Sequence, residues 1–257
     1  MTRHLLVIGA QRCGTTYLQS LLEAHPEITM ARPGRPEPKV FLAEASVERG
    51  RDWYHRTFFG HATDERLLGE KSTSYIEVPK AAGRARRVLG EDTLILALLR
   101  DPVARAVSNW RFSTDNGLEQ RPLETALREN LDQAAEWDSA ATSVSPFAYL
   151  ERGRYEQHLE PWFAVFPTTA RVVFLQDLLD RDEALGTLYE QLDVDPDFRP
   201  ATRERLNEST EPISSLPQDL LHALRTYFHD HDLALSRRLG RRLPWPPEQP
   251  PTRSDLD

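Results

Sequence analysis

The stretch Leu5-Leu6-Val7-Ile8-Gly9-Ala10-Gln11-Arg12-Cys13-Gly14-Thr15-Thr16-Tyr17-Leu18 decides the fold. Its apolar start predicts a short buried strand, Gly9 to Gly14 a loop, and Thr15 the first turn of a helix. A strand feeding a helix through such a loop gathers backbone N–H groups and the positive end of the helix dipole around an anion. Gly9 and Gly14 have the spacing of a P-loop, G-x-x-x-x-G-K-[ST], with Thr16 at the Ser/Thr position. Thr15, however, stands where the lysine belongs, and the nearest cation is Arg12, before the second glycine. A P-loop lysine reaches the β- and γ-phosphates of a nucleoside triphosphate. Its replacement argues against ATP or GTP and for a shorter anion gripped at its 5′ end.

Outward from this stretch, strands and helices alternate. His4 to Gly9 reads as the first strand. A helix over Thr15 to Ala24 places Leu18, Leu21 and Leu22 on one face and stops at His25-Pro26. Residues 29–50, rich in Pro, Gly and charge, read as a long loop, and Trp53 to Phe59 as a short helix closed by Gly60. A strand over Leu67 to Lys71 runs into Ser72-Thr73-Ser74. Pro79 starts a helix that Gly90 ends. Thr93 to Leu99 is the clearest buried strand, followed by Asp101-Pro102 as N-cap and first residue of a helix to about Ser113. Helices are expected over 122–137, 147–165, 181–192 and Pro217 to Leu239, and a strand over Arg171 to Gln176. The pattern predicts one α/β domain over 1–243, a parallel sheet flanked by helices, with a Pro-rich tail over 244–257 expected to be disordered. In such sheets ligands bind beyond the carboxyl ends of the strands, so the loops after Gly9, Lys71 and Leu99 are expected to share one crevice.

At 257 residues, 39% hydrophobic and 28% charged, the chain has the composition of a soluble globular protein. A net charge of −8 supplies no general field for nucleic acid or anionic membrane, so neither partner is expected. No apolar run approaches membrane-spanning length, and no signal peptide or anchor is expected. Cys13 is the sole cysteine, which rules out an intrachain disulfide and fits a cytoplasmic location. Within the loop it reads as a small filling residue, because a reactive thiol needs a base or a dithiol partner. No histidine or cysteine spacing suggests a metal site. Lysine occurs only at 39, 71 and 80; the rest of the 32 Lys and Arg residues are arginine.

Three further motifs carry chemistry. In Leu98-Leu99-Arg100-Asp101-Pro102-Val103-Ala104-Arg105-Ala106-Val107-Ser108, an arginine at a strand end and a hydroxyl on the next helix can hold a phosphate. A local ion pair for Arg100 and a surface role for Ser108 are the alternative. In Pro36-Glu37-Pro38-Lys39-Val40-Phe41-Leu42, Glu37 suits a general base for an acceptor hydroxyl, or is a solvated loop residue. In Gly69-Glu70-Lys71-Ser72-Thr73-Ser74-Tyr75, Lys71 can stabilise charge on a transferring group, or forms an ion pair with Glu70 or another acid.

Together these motifs resemble the sulfotransferases that use 3′-phosphoadenosine 5′-phosphosulfate (PAPS), in the heparan-sulfate-type and bacterial branch. The loop is similar to their 5′-phosphosulfate loop, with Arg12 where lysine is usual. Arg-Asp-Pro-x-x-Arg-x-x-Ser matches their 3′-phosphate motif. Pro36-Glu37-Pro38-Lys39-Val40-Phe41 resembles Lys-Glu-Pro-x-Phe-Phe, whose glutamate is the catalytic base, with Pro36 and Val40 as departures. Glu70-Lys71-Ser72-Thr73-Ser74-Tyr75 resembles Glu-Lys-[Ser/Thr]-Pro-Ser-Tyr, with Thr73 replacing proline. Arg152-Gly153-Arg154-Tyr155, Leu206-Asn207-Glu208-Ser209 and Leu239-Gly240-Arg241-Arg242-Leu243-Pro244-Trp245 extend the likeness.

The resemblance implies a P-loop-containing nucleotide-hydrolase-like fold and transfer of a sulfuryl group from PAPS to an acceptor hydroxyl on a sugar, glycan or small molecule. It implies PAP as product and no metal. It assigns catalysis to Glu37, Arg12 and Lys71, and donor binding to Arg12, Cys13, Gly14, Thr15, Thr16, Arg100 and Ser108. Arg105 is expected to support local structure. Arg152, Arg154, Arg203 and Arg205 are all candidates for the family's further cofactor-covering loop. Trp137, Phe147 and Tyr149 read equally as acceptor walls or core. A small-molecule kinase using ATP and Mg²⁺ and a non-catalytic nucleotide-binding relative remain the alternatives.

Overall fold

The computed structural model describes residues 2–134, 136–137, 145–201 and 213–245. Within them, residues of Met1–Leu99 and His158–Glu208 form one compact unit, and those of Arg100–Gln157 and Ser209–Asp257 a second. Arg203, Arg205, the Leu206-to-Ser209 motif and the tail beyond Trp245 lie outside the described residues.

The first unit is built on a five-stranded sheet in the order β2-β3-β1-β4-β5, with every pairing parallel. The strands are β1 (Arg3–Gly9), β2 (Ile28–Met30), β3 (Leu67–Lys71), β4 (Leu94–Leu99) and β5 (Ala170–Phe174). Apolar runs at β1 and β4 are buried along their whole length, as central parallel strands with covered faces must be. The helices of this unit are α1 (Thr15–Ala24), α2 (Glu44–Val47), α3 (Gly50–Phe58), α4 (Pro79–Leu89), most of α7 (Tyr155–Val165), α8 (Leu175–Asp180) and α9 (Asp182–Gln191). Leu18, Leu21 and Leu22 of α1 join Leu5, Val7, Leu96 and Leu98 in one core cluster. Each fully buried leucine there contributes roughly 1.5–3 kcal/mol.

The second unit is helical. It holds α5 (Pro102–Asp115), α6 (Leu123–Asp132) and α10 (Gln218–Leu239), whose core joins Val103, Val107, Leu127, Leu220, Leu224 and Phe228. Pro102 follows the Asp101 N-cap, whose side chain accepts from Val103 N at 2.9 Å. Gly240 ends α10 with φ 63, the left-handed cap that glycine adopts at little cost.

The parallel α/β architecture matches expectation, and α1 and α4 have the expected bounds. Four local expectations are corrected. The 29–50 segment continues β2 and includes α2; a strand of three residues and a helix of four are each too short to leave a periodic signal. The helix expected over 147–165 begins at Tyr155. Asn130 explains the delay: it donates to Phe147 O at 3.0 Å and accepts from Leu150 N at 2.8 Å, satisfying that backbone without helix. The helix expected over 122–137 ends at Asp132, where Gln133 turns extended. The strand expected to reach Gln176 stops at Phe174, where α8 begins.

Candidate active site

The glycine loop stands at the carboxyl end of β1. Gly14 is the N-cap of α1, with φ 83 and no side-chain cap, and the first turn of α1 carries no acid. The leading N–H groups of a helix have no partner within it. Here they meet neither a capping side chain nor a carboxylate of their own turn. A Cβ at Gly14 would sit 2.7 Å from Leu175 Cδ1, so glycine is required by both φ and space. Arg12 also takes a left-handed backbone, with φ 66. Cys13 is buried, and its N–H donates to Ala10 O at 3.3 Å, a turn bond inside the loop. Gly14, Thr15 and Thr16 therefore present the N–H groups that neither the turn nor the helix uses. Thr15 is buried and Thr16 half-buried.

Parallel pairing puts the end of β3 beside the end of β1: Val7 is in register with Lys71, and Ser72 N donates to Val7 O at 3.1 Å. Gln11 Nε2 donates to Ser74 Oγ at 3.3 Å, tying the glycine loop to the 72–74 turn. The 37–41 loop arrives at the same place. Glu37 Oε1 accepts from Lys71 Nζ at 3.0 Å, and Glu37 Oε2 accepts from Thr73 N at 3.0 Å. The Thr73 hydroxyl lies 3.2 and 3.1 Å from the two carboxylate oxygens. Lys71 is 7% exposed and Glu37 16%, so this ion pair is screened far less than a surface one. Glu37, Lys71 and the glycine loop are thus brought together within the first unit. Lys71 pairs with Glu37 and not with its neighbour Glu70, because adjacent strand residues point to opposite faces.

On the opposite face of β3, Glu70 is fully buried. Its Oε2 accepts from Tyr54 OH at 2.6 Å, and its Oε1 from Ser72 Oγ and Tyr75 OH, each at 2.6 Å. Burial raises its pKa, and the hydrogen bonds from Ser72, Tyr54 and Tyr75 oppose the rise.

In the second unit, Arg100 follows β4 in the chain. Its carbonyl accepts from Tyr155 OH at 2.9 Å, while its guanidinium makes no hydrogen bond or ion pair among the described residues. Asp101 is engaged twice, as the α5 cap and by Arg225, whose Nη1 and Nη2 donate at 2.9 and 2.6 Å. It is therefore a structural anchor for the segment that carries Arg100. Ser108 lies on α5, 5% exposed. Arg105 is fully buried and donates to Asn109 Oδ1 at 3.0 Å and to Tyr149 O, a structural role. Tyr149 is core, with its hydroxyl donating to Glu119 at 2.9 Å, and Phe147 packs on the same core.

Two contributors were not singled out from the residues. Thr73 entered only as a departure from proline, yet a proline there could supply neither the N–H nor the hydroxyl that reaches Glu37. Glu70 entered only as an ion-pair partner; the period-2 rule applied to β3 separates it from Lys71.

Among the described residues no helix is long and apolar enough to cross a membrane, and no group of three or more His, Cys, Asp or Glu could hold a metal ion.

Comparison with known proteins bears on this geometry. Residues 2–176 match the family model described as a sulfotransferase domain. The chain is 29% identical over 213 residues to the bifunctional heparan sulfate N-deacetylase/N-sulfotransferase 1 of Caenorhabditis briggsae, covering 80% of this chain and 24% of that protein. It is 28% identical to the heparan sulfate glucosamine 3-O-sulfotransferase 3A1 of Mus musculus, covering 63% of this chain and 38% of that one. Against the 3-O-sulfotransferase 6 of Homo sapiens it is 32% identical, with 63% and 43% covered. The chain thus spans less than half the length of these relatives. The crystal structure of a sulfotransferase from Alicyclobacillus acidocaldarius superimposes with a TM-score of 0.74 at 23% identity, covering 95% of this chain and 98% of that one, a likeness of fold.

Proposed function

The chain belongs to the sulfotransferase-domain family, and from that premise we propose that it transfers a sulfuryl group from PAPS to the hydroxyl of a sugar, glycan or small-molecule acceptor. The observation that carries this reading is the Glu37–Lys71 pair standing beside a glycine loop that lacks the P-loop lysine.

The residues fit the donor. The uncapped first turn of α1, with no acid in it, suits a 5′-phosphosulfate on the N–H groups of Gly14, Thr15 and Thr16, with Cys13 as the small residue beside them. Arg12 would neutralise charge on the bridging oxygen as the S–O bond breaks. Arg100 and Ser108 would take the 3′-phosphate; an arginine without a partner among the described residues suits an anion that needs a bidentate donor. When bound, PAPS supplies an activated sulfuryl group and a phosphate leaving group.

Glu37 would accept the acceptor's hydroxyl proton while the acceptor oxygen forms its bond to sulfur. An ammonium has three N–H donors. Lys71 spends one on Glu37 and can direct another to an oxygen of the transferring group, so one cation would serve base and electrophile together. Positioning and electrostatics would carry most of the rate, as in phosphoryl transfer.

Calorimetric titration with adenosine 3′,5′-bisphosphate, 5′-AMP and ATP, with and without Mg²⁺, tests the donor. Tight, metal-independent binding that needs the 3′-phosphate is expected. Preference for ATP with Mg²⁺ would move the protein to the kinases. Incubation with PAPS carrying labelled sulfate and a panel of sugars and glycans then tests transfer. Binding without transfer under any condition would favour a non-catalytic relative.

A further inference from the structure

Among the described residues Glu70 has no cationic partner, and three hydroxyls converge on it. Ser72 Oγ accepts from Lys39 N at 2.9 Å, and Tyr75 OH accepts from Phe41 N at 3.2 Å. Each hydroxyl thus accepts from a backbone N–H of the loop and donates to Glu70. The Glu70 Oε1 atom receives both hydroxyls. Both chains of bonds end on one short segment: Lys39 and Phe41 lie two and four residues after Glu37. Lys39 has φ 53, a left-handed backbone that an L-residue holds only when its surroundings impose it.

We infer that Glu70 is the positioning residue of this site: an acceptor buried under the sheet that holds the 37–41 loop through Ser72 and Tyr75, and so sets the Glu37 carboxylate against Lys71 and Thr73. The inference rests on reading Glu37 as the base, but its structural half stands without it. Phe41, fully buried with ring centroids 5.3 Å from Tyr75 and 5.8 Å from Tyr54, packs the same three elements together. Tyr54 differs from the other two hydroxyl groups in accepting from no backbone N–H among the described residues. A proton or an amide group on the Oε2 side could thus be absorbed by Tyr54 while both relays to the loop persist.

That asymmetry sets the test. Glu70→Leu removes the acceptor. Glu70→Gln can turn its carbonyl oxygen to Ser72 and Tyr75 and its amide to Tyr54, and should restore the relays. Amide exchange of the full chain, read residue by residue, should show Lys39 and Phe41 exchanging about 10-fold faster or more in Glu70→Leu, with Leu96 and other central-sheet amides unchanged. Near wild-type protection should return in Glu70→Gln. If Glu70→Leu does not fold, Tyr75→Phe supplies the same comparison at Phe41 alone. Unchanged exchange at both amides, or a loss spread evenly through the sheet that Glu70→Gln does not reverse, would overturn the inference. PAPS turnover of Glu37→Gln, measured separately, reports on the base itself. Full activity there with the expected exchange pattern would sink the functional reading and leave the positioning role standing.

Discussion

Glu37 and Lys71, 34 residues apart in the chain, meet at 3.0 Å with only 16% and 7% of their side chains exposed. The pair joins a loop residue to a strand end. It gives the carboxylate an orientation, and it gives the ammonium a fixed place from which its other protons can act.

Glu37→Gln removes the proposed proton acceptor and keeps the shape. Turnover should fall by roughly 10²–10⁴-fold, the usual contribution of a positioned base. Affinity for adenosine 3′,5′-bisphosphate should stay near that of the parent protein. Steady-state kinetics and calorimetry on the same preparation check both; a matching loss of affinity would show a structural role instead.

Thr73 donates to Glu37 through its N–H and its hydroxyl. Thr73→Val removes the hydroxyl alone, and Thr73→Pro removes both donors. Turnover should fall in that order, by about 3- to 10-fold for each lost bond, with donor affinity little changed. Equal activity in all three proteins would mean that Lys71 alone orients the carboxylate.

Arg100→Ala should weaken binding of adenosine 3′,5′-bisphosphate by about 10- to 100-fold, the cost of a charge-assisted contact of about 1.5–3 kcal/mol. Binding of 5′-AMP should barely change. Equal weakening of the two ligands would refute the 3′-phosphate assignment.

Glu119 reports on acid stability. Burial alone would raise its pKa, but hydrogen bonds from Arg121 and Tyr149 prevail and lower it to about 2, against an ordinary 4.5. A depressed folded-state value means stability present above pH 4.5 and lost as pH falls through 2. Its contribution at neutral pH is on the order of 2–3 kcal/mol. Glu119→Gln should lower the unfolding free energy by about 1–3 kcal/mol at pH 7, and the gap should close towards pH 2. Denaturant melts across that range measure it.

Asp232 works in the opposite sense. Burial raises its pKa from 3.8 to about 6, with Trp245, whose Nε1 donates at 2.9 Å, opposing the rise. A raised folded-state value means a contribution fully present below pH 3.8 and lost as pH rises through 6. Asp232→Asn keeps an acceptor for Trp245 and carries no charge. It should raise stability by about 1–3 kcal/mol at pH 7 and by much less at pH 4.

Local chemistry made much of this protein legible. The apolar run at β4, Pro79 and Gly90 around α4, and Asp101-Pro102 before α5 each act within a few residues, so their meaning survives without tertiary structure. Asn130 and the 147–150 backbone, by contrast, are 17 to 20 residues apart, and side-chain bonds at that range leave no periodic trace.

The α/β alternation and a glycine loop without the P-loop lysine were legible in the sequence alone, because those features are written in short spacings. Tertiary structure alone decided that Lys71 answers Glu37 rather than Glu70, that Thr73 completes the carboxylate's shell, and that Ser72 and Tyr75 pin the loop from below. The physical reason is strand order and pleat. Pairing β3 between β1 and β2 places its end beside the glycine loop, and the period of two sends adjacent acid and base to opposite faces.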